Sequence, residues 1–254
     1  MLATEFDPAL IAALQEADKI VVLTGAGVSA ESGIPTFRDA LTGLWRNFDA
    51  QALATPEAFQ RDPALVWGWY EWRRARVLAA RPNAAHRAIA ALAHRVPQLS
   101  LITQNVDDLH ERAGSRDVRH LHGSLHHPRC FDCGLAFALP EGRPEEPEGG
   151  RRLPPPRCPA CGGPVRPGVV WFGEAMPRDL LDAAFDACAS SDLLIAVGTS
   201  GVVYPVAELP AVAKRAGRRV VQVNLAPSEL DRVCSWNLRG EAGKVLPALF
   251  GNAF

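Results

Sequence analysis

Short apolar runs alternate with amphipathic stretches along most of the chain. Runs rich in β-branched residues predict buried parallel strands; they occupy 19–24, 99–103, 118–121, 192–197 and 219–223. Segments with helical periodicity separate them, at 6–17, 56–76, 86–95, 178–188, 205–216 and 242–250. Strands that alternate with helices predict an α/β fold built on an open, mainly parallel sheet.

A glycine-rich turn directly follows the first predicted strand. Gly25, Gly27 and Ala30 fit the pattern G-x-G-x-x-G/A, in which backbone approaches a pyrophosphate beside a helix N-terminus. Three small residues also occur in turns that bind nothing, so the pattern alone leaves both interpretations open. Pro35 should end any helix soon after the turn, and no strand-like run follows in 41–50, which argues against simple hydride transfer.

Polar clusters follow several of the predicted strands. Besides the glycine turn, they are 104–107, His122, 198–200 and Asn224. Ligands of open α/β sheets bind beyond the carboxyl ends of the strands, so clusters at one edge indicate a cofactor site. His122 is a candidate general base because histidine titrates near neutral pH, although a buried structural histidine would fit the sequence as well.

Two Cys-x-x-Cys pairs bracket a segment rich in proline, glutamate, glycine and arginine. Cys130, Cys133, Cys158 and Cys161 offer four thiolates, the donor set of a closed, tetrahedral structural zinc site. A loop over 140–156 accounts for the long separation between the pairs. Four unliganded cysteines are the alternative. A thioredoxin-like redox role is disfavoured because neither pair opens a helix after a strand.

The chain has 254 residues, of which 48% are hydrophobic, and a net charge of −1. This charge gives no reason to expect a nucleic-acid or anionic-membrane surface. No apolar run reaches the about 18 residues of a transmembrane helix. The N-terminus lacks the basic and apolar regions of a signal peptide. We expect a cytoplasmic protein without nucleic-acid or membrane partners, and a monomer.

The motifs occur in an order that resembles the sirtuins, the NAD-dependent protein-lysine deacylases. GAGVSAESGIPTFR resembles the sirtuin cofactor loop, TQNVDDLH the second signature, and His122-Gly123 the third. The cysteine pairs, VWFGE, Gly198-Thr-Ser and Asn224 follow in the family's order, so the resemblance covers about 19–249. It implies a Rossmann-like sheet with a smaller zinc-binding and helical subdomain, NAD, one structural Zn²⁺ per chain, and acyl-lysine protein substrates.

The resemblance also implies roles for individual residues. The acyl oxygen would attack the nicotinamide ribose, His122 would act as the base on the ribose hydroxyls, and Asn105 would be the second catalytic residue. Ile34 and Asp107 would hold the carboxamide, and Phe37 would shield the reactive centre. The implied cofactor-binding residues are Gly25, Ala26, Gly27, Ser29, Ile34, Phe37, Arg38, Gln104, Asn105, Asp107, Gly198, Thr199, Ser200, Asn224 and Ala242.

Tyr70 and Arg73 stand at i and i+3, which places a phenol and a guanidinium on one helix face. Such a pair is usually a solvated face. Here the sequence resembles class III sirtuins, whose Y-x-x-R pair reads the far carboxylate of succinyl- or malonyl-lysine. Ala54 matches the small residue that widens their acyl pocket. The resemblance implies removal of succinyl and malonyl groups, with some acetyl, giving nicotinamide and O-acyl-ADP-ribose. The implied substrate-binding residues are Ala54, Tyr70, Arg73, Val170 and Phe172.

We expect a single catalytic domain over residues 1–254. A Rossmann-like large domain would comprise 1–38, 80–123 and 168–254, with a helical insertion at 39–79 and a zinc-binding insertion at 124–167. Two other functions fit much of the sequence. A protein mono-ADP-ribosyltransferase would have the same site. A non-enzymatic NAD- or acyl-lysine-binding module is disfavoured because both His122 and Asn105 are present.

Overall fold

Helices and strands alternate through the computed structural model, which describes residues 6–36, 48–140, 142–147 and 150–254. The strands are β1 (Lys19–Thr24), β2 (Gln98–Thr103), β3 (Arg119–His120), β4 (Gly123–Cys130), β5 (Val165–Val169), β6 (Leu193–Val197), β7 (Arg219–Asn224) and β8 (Trp236–Arg239). The α-helices are α1 (Pro8–Gln15), α2 (Gly27–Ala30), α3 (Ala50–Leu53), α4 (Pro56–Arg61), α5 (Pro63–Ala79), α6 (Ala84–Leu92), α7 (Leu109–Arg112), α8 (Arg178–Ser190), α9 (Leu209–Arg215) and α10 (Ala242–Ala253).

Six of the strands form one parallel sheet in the order β3-β2-β1-β6-β7-β8. This is the strand order of a doubly wound Rossmann-like sheet, and it confirms the predicted fold class. The direction of winding reverses between β1 and β6. The carboxyl ends of these two strands therefore flank the crevice where such sheets bind ligands.

Alternate side chains of β1 enter two different cores, as the period of a strand requires. Ile20 and Val22 pack in the cluster formed with α1, α6 and α10. Val21 and Leu23 pack in the opposite cluster, formed with α8 and α9. Because both faces of the sheet are covered, the continuous apolar sequence of β1 is the expected one for this strand.

A third core lies beside the sheet. It combines α3, α4 and α5 with the antiparallel pair β4–β5, and its largest fully buried side chains are Phe59, Trp69 and Trp171. The strand pair begins at the cysteine cluster, where Cys130 faces Val165. It ends beside the parallel sheet, where Gly123 faces Val169. The pair therefore connects the cysteines to His122.

The chain returning from the cysteine cluster lies against α5. The Leu153 backbone N–H donates to the Ala64 carbonyl at 2.9 Å. A Cβ added to Gly68 would lie 2.1 Å from the Arg151 carbonyl oxygen, so the close approach requires glycine at this position. Residues 150–153 are thus anchored on the helix that carries Tyr70 and Arg73.

The local structure differs from the prediction in two respects. The helix predicted over 56–76 is two helices, because Asp62 caps the second one with a hydrogen bond from the Leu65 N–H and Pro63 has no N–H to continue the first. β4, β5 and β8 were not predicted as strands. No helix in the described ranges is long and apolar enough to cross a membrane.

Candidate functional site

Glycine backbone joins the turns that follow β1 and β6. The Gly27 N–H donates to the Gly198 carbonyl at 2.9 Å, and the Gly25 N–H donates to the Val197 carbonyl at 2.9 Å. A Cβ added to Gly27 would lie 2.7 Å from the Gly198 Cα, and Gly198 has a φ of +60°. A side chain at either glycine would force the turns apart, so this contact fixes the floor of the crevice.

Ser29 is the centre of a buried hydrogen-bond network. Its Oγ donates to Asp107 Oδ2 at 3.0 Å and accepts from Asn105 Nδ2 at 3.0 Å. The Nε2 of His86 lies 3.4 Å from the same Oγ. Burial raises the pKa of Asp107, against the hydrogen bonds from Leu109 and Ser29. The network holds side chains from three elements in one arrangement.

His86 was not predicted as part of the site. Its Nδ1 accepts from the Asn83 N–H at 3.3 Å, which leaves Nε2 as the protonated nitrogen that faces Ser29. Burial lowers the pKa of His86 to about 4, so the ring is neutral at pH 7. The sequence offered one signal, since His86 is the N3 residue of a capping box that begins at Asn83.

His122 lies in the turn between β3 and β4 with one ring nitrogen fixed. Its Nδ1 is 3.0 Å from the Gln104 carbonyl. A carbonyl only accepts, so Nδ1 carries the proton and the Nε2 lone pair is left for a substrate. Burial lowers the pKa of His122, against the hydrogen bond to Gln104, so the ring is neutral at pH 7. This is the state that a general base requires.

His120, two residues earlier, has the opposite charge preference. Its Nδ1 is 2.9 Å from the Asn105 carbonyl and its Nε2 is 2.6 Å from Glu111 Oε1, so both nitrogens donate. Burial lowers the pKa of His120, but the hydrogen bonds to Glu111 and Asn105 outweigh it and raise the pKa overall. His120 thus ties the Asn105 backbone to α7.

Thr199 connects the ends of β2, β6 and β7. Gln104 Nε2 donates to Thr199 Oγ1 at 2.8 Å, and Asn224 Nδ2 donates to the Thr199 carbonyl at 2.8 Å. Ser200 is the next residue and is half-buried. The predicted cofactor-binding residues of three strands therefore lie at one edge.

The remaining predicted cofactor-binding residues lie around this edge. Ala26 precedes α2, and Ile34 packs against the third core. Ala242 is the first residue of α10, whose Gly243 N–H donates to the Glu31 carboxylate at 3.0 Å. Phe37 and Arg38 lie outside the described residues.

The four predicted metal ligands form one cluster. The Sγ atoms of Cys130, Cys133, Cys158 and Cys161 all lie within 4.8 Å of one another. Cys130 and Cys158 are buried, whereas Cys133 and Cys161 are exposed. Four thiols at this separation fit a tetrahedral Zn²⁺ and leave no coordination position for chemistry. The predicted zinc-binding cluster is confirmed.

The predicted substrate-binding residues lie between α5 and the segment after β5. The Phe172 N–H donates to the Ala54 carbonyl at 2.9 Å, and the Val170 N–H donates to the His122 carbonyl at 2.9 Å. Trp171 Nε1 donates to the Tyr70 hydroxyl at 3.0 Å. We call Ala54, Tyr70, Arg73, Trp171 and Phe172 the acyl wall.

Arg73 is half-buried on α5, with its guanidinium carbon 5.0 Å from the centre of the Trp69 ring. Burial lowers the pKa of Arg73, and the neighbouring Tyr70 and Asp107 oppose that shift. The acyl wall therefore lies within electrostatic reach of the network around Ser29. Phe172 is 42% exposed and lies at the open side of the wall.

Sequence reasoning missed one residue of the acyl wall, Trp171, and the two residues that hold it, Arg166 and Glu174. Trp171 stands between the predicted substrate-binding residues Val170 and Phe172, and this position was the one sequence signal that could have assigned it to the site. Arg166, which is buried, and Glu174, which is partly buried, form an ion pair beside it. Arg166 lies in β5 and Glu174 lies after the strand has ended, so no single helix or strand pattern relates the two residues.

Comparison with known proteins agrees with this architecture. A family model described as the Sir2 family matches residues 25–205. An NAD-dependent protein deacylase of Methylococcus capsulatus is 64% identical over 96% of each chain. NAD-dependent protein deacylase 1 of Pseudomonas aeruginosa is 61% identical, over 97% of this chain and 98% of its own.

Two solved structures are informative neighbours. A crystal structure of a Sir2 homologue in complex with NAD has a TM-score of 0.89 and 45% identity, covering 98% of this chain and 95% of the other. A Sir2–p53 peptide–NAD⁺ complex has a TM-score of 0.83 and 30% identity, covering 97% and 98%. The chain belongs to the Sir2 family, and the deacylase names of its relatives support the class III assignment.

Proposed function

We propose that this NAD-dependent protein deacylase removes succinyl and malonyl groups from protein lysines and retains some activity on acetyl-lysine. Relatives that share over 60% of its sequence carry the deacylase name. The observation that supports the acidic preference is the position of Tyr70 and Arg73 on one face of α5, with Tyr70 in the same buried core as Ala54. The products would be nicotinamide and the O-acyl ester of ADP-ribose.

NAD would supply the ribose carbon that accepts the acyl group. The glycine turns at Gly27 and Gly198 would receive its pyrophosphate, since backbone can approach only where no Cβ intervenes. Asp107 and Ile34 would face the carboxamide. Asn105, held by Ser29, would offer its amide to a ribose hydroxyl.

His122 would act as the general base. Its Nδ1–H is held by the Gln104 carbonyl, which leaves Nε2 to take a proton from a hydroxyl. The neutral ring requires no prior deprotonation at pH 7, because burial lowers its pKa. The role of the wall is to bind the acyl group and exclude water from the reacting centre.

Arg73 and Tyr70 would recognise the far carboxylate of the acyl group. A guanidinium suits a carboxylate through two parallel N–H bonds, and a phenol adds a third donor. A hydrogen bond to a charged group is worth about 1.5–3 kcal/mol. Since about 1.4 kcal/mol is tenfold, we expect at least a tenfold preference for succinyl over an uncharged acyl group of the same length.

The test compares one peptide carrying succinyl-, malonyl-, acetyl- or butyryl-lysine. Butyryl matches succinyl in length and lacks only the carboxylate, so the succinyl to butyryl ratio of kcat/KM isolates the charge. A ratio of about ten or more supports the proposal, and a ratio near one contradicts it. NAD labelled in the ribose separates the alternative, because an ADP-ribosyltransferase would leave label on protein and a deacylase would release it.

A further inference from the structure

The Tyr70 hydroxyl uses its oxygen as a hydrogen-bond acceptor inside the third core. It accepts a hydrogen bond from Trp171 Nε1 at 3.0 Å, and both side chains are nearly inaccessible to solvent. An indole N–H can only donate. The proton of the phenol must therefore point away from Trp171.

Arg73, a second polar neighbour of the phenol, also only donates. Arg73 stands one helical turn further along α5 and acts electrostatically on Tyr70. Among the hydrogen bonds of the described residues, none has the Tyr70 hydroxyl as its donor. Burial raises the pKa of Tyr70 to about 12, so the phenol keeps its proton at neutral pH. The proton is available to an acceptor that enters beside Arg73.

The indole itself is clamped in one orientation. The guanidinium carbon of Arg166 lies 3.4 Å from the centre of the Trp171 ring. Arg166 pairs with Glu174 through two hydrogen bonds, and the Glu174 carboxylate also accepts the Trp171 backbone N–H at 2.8 Å. Arg166 Nη2 donates to the Val169 carbonyl at 2.9 Å. Burying the Arg166 guanidinium costs hydration, and its many partners indicate a positioning role.

We propose that Trp171 is a specificity-determining positioning residue: its indole N–H fixes the Tyr70 hydroxyl as a donor toward the carboxylate of an acidic acyl group. The Arg166–Glu174 pair keeps the indole in place. Trp171 acts through Tyr70 and needs no contact with the substrate carboxylate. This inference rests on the proposed function and adds a residue to its recognition apparatus.

The first experiment measures the succinyl to butyryl ratio of kcat/KM in Trp171→Phe. The ratio should fall about fivefold, the effect expected of one hydrogen bond, and the fall should come from a higher KM for the succinyl peptide. Trp67→Phe is the matched control, because Trp67 is a buried tryptophan of the same core and lies on the helix that carries Tyr70. Its ratio should stay within about twofold of the wild-type ratio.

A double-mutant cycle separates this role from general packing. If Trp171 acts through the phenol, Trp171→Phe should not change the ratio further in a Tyr70→Phe background. Ratios that multiply independently would overturn the inference. Should Trp171→Phe lower the thermal unfolding midpoint, the same cycle can be run with the benzothiophene analogue of tryptophan at position 171, which keeps the ring shape and removes the N–H.

The outcomes for the two proposals differ. A wild-type ratio near one overturns the proposed acidic preference, and this inference with it. A wild-type ratio of about ten or more that Trp171→Phe leaves unchanged overturns the inference alone. A fall in Trp171→Phe that disappears in the Tyr70→Phe background supports both.

Discussion

At the carboxyl edge of the sheet, glycine backbone fixes the floor of the crevice, whereas at the acyl wall side chains from distant segments position the site. The edge depends on contacts such as that between Gly27 and Gly198, which leave no room for a Cβ. The wall depends on aromatic and charged groups such as Trp171 and Arg166. Under the proposed function, substitutions of side chains in the wall could change which acyl group is preferred. The glycine contacts at the edge admit no side chain, so the cofactor site cannot vary in the same way.

Loss of zinc should have the largest effect. It should disturb the third core, to which β4, β5 and the acyl wall belong. Cys130→Ala removes one of four thiolates at the base of β4–β5. A structural zinc ion contributes folding free energy directly, so the variant should lose metal, unfold at lower temperature and lose deacylation. Elemental analysis should find one zinc per wild-type chain. Metal-free wild-type protein would contradict the assignment.

His122→Ala tests the edge. Removing a general base should lower deacylation of every acyl peptide by about 10²-fold or more. NAD binding, measured by calorimetry, should persist because His122 supports the glycine turns through no described hydrogen bond. The succinyl to butyryl ratio should stay as in the wild type. Near-normal turnover would show that another group is the base.

Arg73→Met tests the wall with an intermediate effect. The change removes the guanidinium and keeps much of the aliphatic stem, so desuccinylation should fall by at least about tenfold. The control is the butyryl peptide, which has no carboxylate to lose a partner. If kcat/KM falls equally for both peptides, Arg73 supports the helix and does not read charge.

The pH dependence of kcat/KM, which reports on His122 at the edge, should show the smallest effect of the four. Burial lowers the pKa of His122 below its usual 6.5, so the neutral base persists as pH falls and is lost only on passing the lowered value. The kcat/KM for the butyryl peptide, which does not titrate, should therefore exceed half its plateau at pH 6.5. Half-loss above pH 6.5 would show that burial does not control this histidine.

Prediction from sequence succeeded where local pattern determines structure. Buried strands followed by glycine or polar residues, as β1 is followed by Gly25, correctly predict one edge of the sheet. The cysteine spacing did the same for the metal cluster. The helix predicted over 56–76 was wrong, although a local signal for its break is present. Asp62-Pro63 is a capping residue followed by a residue without an N–H.

The wall could not be assembled in this way. Its hydrogen bond between Trp171 and Tyr70 joins residues far apart in sequence, and no period relates them. β4 was missed because its sequence, GSLHHPRC, is polar, and its single partner β5 covers only one edge of it. Contacts of this kind are set by packing of the third core, which a local pattern does not encode.

The anchoring of the return segment on α5 has a practical use in protein engineering. Cys130 faces Val165 at one base of the excursion, and Leu153 is bonded to Ala64 at another. Each doubling of a flexible loop costs only about 0.6 kcal/mol. An affinity tag or fluorescent reporter inserted between the exposed Gly142 and Arg143 would therefore lengthen this segment without breaking either contact.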